Sequence, residues 1–431
     1  MHTQICMVES RIYKGYWWLP TAPDERIAGT LSIEPNGTVK LDLFGCFGQV
    51  DIPAIIDRKD DSAIFGRCYT PDSKMTDISL MNCHSWITLN FSDDTFPITK
   101  YTCQYALIGI HVDSMENASF FKAHVNFKEL AYWCPPNNIK TTLNNSAISI
   151  IIKTAYENAS PLATMDLEDG YRLNLKEGAT YKEDYPKVYI DQSTYLEILK
   201  DDMTGNEVLS MSKMFERFLS IAMLSSVEHG QITLFSKQEC QEVEKKVYFS
   251  PIELITHLYK NDTSEVSGAH DYLFKYDDIS VTFEDMFKKI RSDKNIMQII
   301  NNLIDSIEKK RVFTSNDFLV VIQALDGFSI RFRKEGEFLK QLTNLRDEFK
   351  DIKRVSLTDA DLKAAKGSRH YYSHILKLEN KEIKNALDGW GLYDLTKKLR
   401  VLLICCVLNH MGLNNAKINQ LLNKSSNAIL N

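Results

Sequence analysis

Apolar and polar residues alternate along about the first 200 positions, whereas after about residue 280 apolar residues recur every three or four. The first rhythm predicts strands. TLSIEPNGTVKLDLFG at 30–45 alternates on both sides of Asn36-Gly37, a strong hairpin signal. SWITLNF, TCQYALIGIHV and AHVNFKELAYW continue it, and NSAISIIIKTAY and YRLNLKEGATYKEDYPKVYI suggest a further set. Helical spacing first appears at 207–227, EVLSMSKMFERFLSIAMLSSV, and again at SPIELITHLYK, before a polar, linker-like KNDTSEVSGAHD. From FEDMFKKI at 283 to YDLTKKLRVLLICCVLNHM ending at 411, amphipathic helices follow one another with short connections, the pattern of a bundle. The expected fold is therefore α+β: a β-rich domain at 1–205, a helical extension and linker at 206–280, and an all-α bundle at 281–425.

Composition narrows this little and excludes some classes. The start, MHTQICMVESRIYKGYWW, lacks the charged-then-apolar pattern of a secretory signal, and VLLICCVL is too short to span a bilayer, so no membrane partner is expected. Nine cysteines, odd in number and without a repeated spacing, argue against a disulfide framework and for a reducing cytoplasm. The net charge of −6 hides an asymmetry: residues 281–431 hold 26 Lys+Arg against 18 Asp+Glu, +8, and residues 1–280 hold 25 against 39, −14. Only the second half suits a polyanion.

The candidate chemistry lies in that half. LTDADLKAAKGSRHYYSHILKL, 357–378, starts with a capping pair, Thr358 and Asp361, and reads as one helix. At about 100° per residue, Leu362, Ala365, Tyr372 and Leu376 share a face, and Arg369 falls in its middle. His370 and His374, four apart, lie on its flank. A charge on an apolar stripe is costly unless paired. On the residues alone, Arg369 is a functional cation or a structural one held by a carboxylate such as Asp326. The two histidines are surface residues, half a metal site, or proton carriers; the Glu of H-E-x-x-H is missing. Trp17 and Trp18 read as an aromatic platform or as core. Cys83, His84 and Cys103 read as a zinc set or as packing, with packing favoured because no C-x2-C pair occurs. Cys405 and Cys406, in the most apolar helix, read as inert. Of Tyr371 and Tyr372, one suits the core and the other a stacked base.

Arg369-His370-Tyr371-Tyr372-Ser373-His374 is an R-x4-H motif on a late helix of a C-terminal bundle, and there it resembles the HEPN ribonuclease domain. GYWWLP, AGTLSIEPNGTVKLDLFG and YALIGIHV resemble the N-terminal domain of the ApeA family, whose members join such a domain to a C-terminal HEPN domain. The resemblance implies an abortive-infection, antiphage endoribonuclease that needs no metal or other cofactor. Its catalytic residues would be Arg369, His374 and His370, the last standing where many relatives have Asn, with Asp326 as the acidic residue often found nearby. The implied partners are RNA, tRNA being a frequent target, a phage-encoded protein trigger, and a second copy of the chain in a homodimer or larger even assembly. In that pairing Arg369's stripe would meet a second helix, and Gly367 would admit its backbone. The alternative is a non-catalytic HEPN-like module that dimerises and binds nucleotide or protein.

Overall fold

Val39–Leu43 buries every second side chain and exposes the others, as strict alternation demands, and most strands of the N-terminal half repeat this rule. The computed structural model describes residues 10–430 except 49–59, 71, 89–97, 137–142, 145–146, 149–159, 186, 257–271, 308–312, 334–335 and 375–382. The chain divides into two compact units. One comprises Met1–Ala131, Pro135–Lys213 and Glu228–Ser264; the other comprises Tyr132–Cys134, Met214–Val227 and Glu265–Asn431.

The first unit begins with β1 (Arg11–Trp18), β2 (Ile27–Ile33), β3 (Val39–Leu43), β4 (Asp60–Tyr69), β5 (Met75–Thr88) and β6 (Ile98–Ile108). They pair antiparallel in the order β6-β3-β2-β1-β4-β5, and β5 pairs again with β6, which closes a barrel. The β2–β3 connection is the Asn-Gly turn that the sequence announces: Gly37 donates to the Glu34 carbonyl at 2.9 Å and takes a φ of 77°. Inside the barrel Trp17, Leu31, Ile33, Val39, Leu41, Ile64, Ile78 and Leu80 are fully enclosed.

The chain continues through β7 (Phe120–Phe127), a short helix α1 (Leu130–Trp133), a small pair β8 (Leu143–Asn144) and β9 (Ala147–Ile148), β10 (Ala163–Asp166), β11 (Arg172–Asp184) and β12 (Lys187–Met203). After α2 (Gly205–Met223) come β13 (His229–Phe235), a hairpin of β14 (Cys240–Val243) and β15 (Lys246–Phe249), and β16 (Ile252–Thr256). β6 has work for both halves of one edge: Thr99–Cys103 pair with β3, and Tyr105–Ile108 pair with β16. From there the sheet extends as β16-β13-β7-β12-β11-β10.

Two expectations for 206–280 change. The helix read in SPIELITHLYK is instead strand β16, because Ile252, Leu254 and Ile255 fit a strand as well as a helix and the open edge of β6 decides between them. Residues 229–256 thus supply strands where the sequence suggests a helical extension. The linker-like stretch 260–271 lies outside the described residues, as does most of 145–156.

The second unit is helical: α3 (Tyr276–Ile279), α4 (Phe283–Ser292), α5 (Met297–Ile307), α6 (Ser315–Phe332), α7 (Phe338–Glu348), α8 (Asp359–His374), α9 (Gly389–His410) and α10 (Asn415–Lys424). α9 is the hub. Every residue from Leu399 to Leu408 is buried, including Arg400, the behaviour of a helix that is packed on all sides. The protein is α+β, strand-rich first and helical afterwards.

Candidate active site on helix α8

α8 starts where its cap says it should. Thr358 N–H donates to Asp361 Oδ2 at 2.8 Å, Asp361 N–H donates to Thr358 Oγ1 at 3.2 Å, and Lys398 on α9 reaches the same carboxylate at 3.0 Å. The helix buries Leu362, Ala364, Ala365, Gly367 and Ser368. Leu376, expected on the same stripe, lies outside the described residues.

Gly367 is needed for close approach, but the approaching backbone belongs to this chain. A Cβ at 367 would stand 3.0 Å from the amide nitrogen of Ala386 and 3.2 Å from the carbonyl carbon of Asn385. Two hydrogen bonds fix that segment: Leu387 N–H donates to Ser368 Oγ at 2.9 Å, and Tyr372 donates its hydroxyl to the Leu387 carbonyl at 3.1 Å. The expectation that Gly367 admits a second copy's helix is therefore corrected. A glycine announces that something comes close, not what comes close. Burial raises the pKa of Tyr372 above the usual phenol value, with the nearby Asp388 charge acting in the same direction, so it remains a donor at neutral pH.

Arg369 answers its cost locally. Its Nη2 donates to Asp326 Oδ2 on α6 at 2.8 Å, and its guanidinium lies 4.4 Å from the centre of the Phe338 ring on α7. The side chain still keeps 33% of its surface exposed, against 18% for Asp326. Held at one end and open at the other, the guanidinium has donors left for an anion. His370 is half-buried and His374 exposed; their rings lie 5.9 Å apart between centroids, inclined by 32°. Tyr371 sits edge-on to Tyr372, 4.8 Å away. The structure thus brings Arg369 of α8 together with Asp326 of α6, and His370 with His374 along α8.

Comparison with known families places this helix. The family profile for ApeA N-terminal domain 1 matches residues 12–290, and that for Apea-like HEPN matches 283–417. The chain belongs to the ApeA family. No curated protein and no solved structure matches it. The HEPN match of this ApeA-family chain runs from the first residue of α4 into α10, and it includes Asp326, Arg369, His370 and His374.

The other candidates of the ApeA chain resolve as packing. Trp17 is fully enclosed in the barrel core, and Trp18, 7% exposed, packs edge-on against His111. Cys83 and Cys103 face each other across β5 and β6 inside the barrel, whereas His84, next along the strand, is exposed. A zinc reading needs all three on one side, so it fails here. Among the described residues no group of three or more His, Cys, Asp or Glu is arranged to hold a metal ion. Burial raises the thiol pKa values of Cys405 and Cys406 far above the ordinary value, which keeps them inert. No helix among the described residues is long and apolar enough to cross a membrane. Sequence reasoning misses the segment Ile383–Leu387 as part of the site's frame, since nothing local to it signals the bonds it makes to α8.

Proposed function

We propose that this protein is a metal-independent endoribonuclease of an abortive-infection, antiphage system, with α8 as the catalytic helix. The observation that carries the reading is the R-x4-H motif inside the HEPN match, with Arg369 anchored on Asp326 yet one-third exposed and with a half-buried His370 and an exposed His374 on the same helix. In this reading the substrate's 2′-OH attacks the adjacent phosphorus, so the enzyme supplies proton transfer and charge stabilisation. His374 accepts the 2′-OH proton or donates one to the departing 5′ oxygen, the general acid–base role that a positioned imidazole supplies. Arg369 donates to the non-bridging phosphate oxygens, where charge builds up in the transition state. His370 lies beside His374 and orients it or shares its proton traffic. The products are a 2′,3′-cyclic phosphate and a 5′-OH, and DNA is inert. The RNA is tRNA, and the resting enzyme is released by a phage-encoded protein.

Helix geometry favours a second copy. Arg369 and His374 stand about 140° apart around α8 and about 7.5 Å apart along it. Both reach one phosphate more readily if each site takes Arg369 from one chain and His374 from another. That separation supports a dimer in this reading.

The test is cleavage of total cellular RNA and of tRNA, with and without EDTA, by the protein and its Arg369→Ala and His374→Ala variants. The reading expects cyclic-phosphate ends, survival in EDTA and loss in both variants. Full cleavage by folded His374→Ala would falsify the assignment, and strict dependence on added metal would remove the mechanism. Mixing the two variants should restore activity where an intact Arg369 and an intact His374 meet between chains, and a fully active monomer would exclude the shared site.

A further inference from the structure

Trp390 is the outlier of the helical unit. Tryptophan is among the most buried residues on average, yet Trp390 keeps 79% of its surface exposed at the start of α9. It is not loose. Its indole meets Tyr393 edge-on at 5.6 Å, and Tyr393 in turn meets Phe313 edge-on at 5.3 Å. Lys397 Nζ stands 5.6 Å from the centre of the Tyr393 ring.

This row of rings stands close to α8. Trp390 follows Leu387 by three residues, and Leu387 bonds to Tyr372 and Ser368. Arg369 precedes Tyr372 by three residues, about 60° round and about 4.5 Å back along α8, so the two side chains are neighbours on one face of the helix. Phe318 on α6, five residues beyond Phe313, also contacts the Tyr372 ring, at 6.4 Å between centroids. The exposed indole is therefore tied to the face of α8 that carries Arg369 through the Tyr372–Leu387 hydrogen bond, with no more than about 11 Å of chain between Leu387 and Trp390.

We propose that Trp390, braced by Tyr393 and Phe313 with Lys397 beside it, is a stacking platform for an unpaired base of the RNA bound at α8. The proposal rests on the ribonuclease reading and adds to it a residue and a substrate form: a strand whose bases are free to stack. Aromatic faces hold any base without reading sequence, and a neighbouring lysine meets the backbone phosphate. A protein partner fits less well, because docking faces are contiguous apolar patches. Here the residues near Trp390 in the chain include exposed, polar Lys384, Asn385, Asp388 and Asp394. Among the described residues of this unit, the other large apolar side chains of high exposure are Val281, before α4, and Ile330, near the far end of α6.

The full-length His374→Ala protein, which should hold RNA without cutting it, is titrated with a short fluorescein-labelled single-stranded RNA of mixed sequence and with the duplex formed by its complement. Adding Trp390→Ala should weaken single-strand binding about five- to hundredfold, the worth of one base–aromatic stack, and leave duplex binding unchanged. Trp390→Tyr should restore most of the loss, and 4-thiouridine in the strand should crosslink to the peptide that holds Trp390. Circular dichroism confirms that the variants are folded. Unchanged single-strand affinity in folded Trp390→Ala overturns the platform and leaves the nuclease reading standing. Equal losses for strand and duplex also overturn it, as does a Trp390→Ala protein that loses self-association instead of RNA affinity. If the His374→Ala protein binds no RNA at all, the ribonuclease reading falls, and the platform with it.

Discussion

Glu197 and Arg369 are charged side chains held close to apolar surroundings, one in the sheet and one in the helical unit, and they are treated in opposite ways. Glu197, on β12, is 4% exposed. Its oxygens accept from Asn174 at 2.9 Å, Lys176 at 3.0 Å and His124 at 3.2 Å, all from neighbouring strands β11 and β7. Burial alone would raise its pKa, but hydrogen bonds from His124, Asn174 and Lys176, with the Lys176 charge, outweigh that and hold it at about 2. Arg369 is held by the Asp326 carboxylate and keeps an open side. A saturated charge has nothing left to offer a ligand, whereas a tethered but unsaturated one does. Binding capacity in this molecule should therefore follow unfilled hydrogen-bonding valence rather than charge or burial.

The largest expected effect lies on the open side of that contrast. His374→Ala should lower RNA cleavage by about 10²–10⁴-fold, the usual worth of a general acid or base, with the melting temperature held, because the ring is exposed. A large loss of stability with unchanged cleavage would reverse the comparison. Glu197→Ala should do the converse. It strands Lys176 and His124 beside a hole and should cost about 3–5 kcal/mol in denaturant unfolding. The same network sets an acid limit: with a folded pKa of about 2 against an ordinary 4.5, its contribution is complete above pH 4.5 and is lost as pH falls toward 2. Equal stability of the parent and Glu197→Ala at neutral pH would show that the network holds nothing.

Gly367→Ala comes next. Its Cβ would press on backbone at Ala386, which cannot swing aside as a side chain does, so about 1–3 kcal/mol should be lost. Cleavage should drop with it if the frame around α8 matters, and wild-type melting would show that the segment yields freely. The smallest effect belongs to His410, on α9. Burial among Phe332 and Phe328 lowers its pKa below 6.5 despite Asp293 at 3.2 Å. A lowered histidine pKa favours the fold above pH 6.5 and loses that contribution as pH falls below it. Thermal melts on either side of pH 6.5 should show the drop in the parent and not in His410→Phe, and identical profiles would remove His410 from the account.

What could be read from the chain was what its neighbours in sequence determine. The Thr358–Asp361 cap, the Asn36-Gly37 turn and the helical row of His370 and His374 are local, and each is present as spelled. The pairing of Arg369 with Asp326 joins residues 43 apart, and it was available only as one of two readings. Barrel closure is invisible because it depends on β5 meeting β6 along its whole length, a matter of register rather than composition. β16 reads as a helix in sequence because Ile252, Leu254 and Ile255 satisfy both periodicities and a distant edge decides. The frame of α8 escaped for the same reason: Leu387 carries no mark of the two bonds that tie it down.

The core of the helical unit is assembled from pieces that are not adjacent in the gene. Trp133 and Phe218 belong to this unit, and they pack on Phe283 of α4 at 5.5 Å and 5.3 Å. Phe215 and Phe218 also meet Phe287, each at 6.0 Å. A helical unit cut from the gene just before α4 would leave its aromatic floor behind. Any exchange of this unit must therefore carry short, distant pieces of the first half along with it.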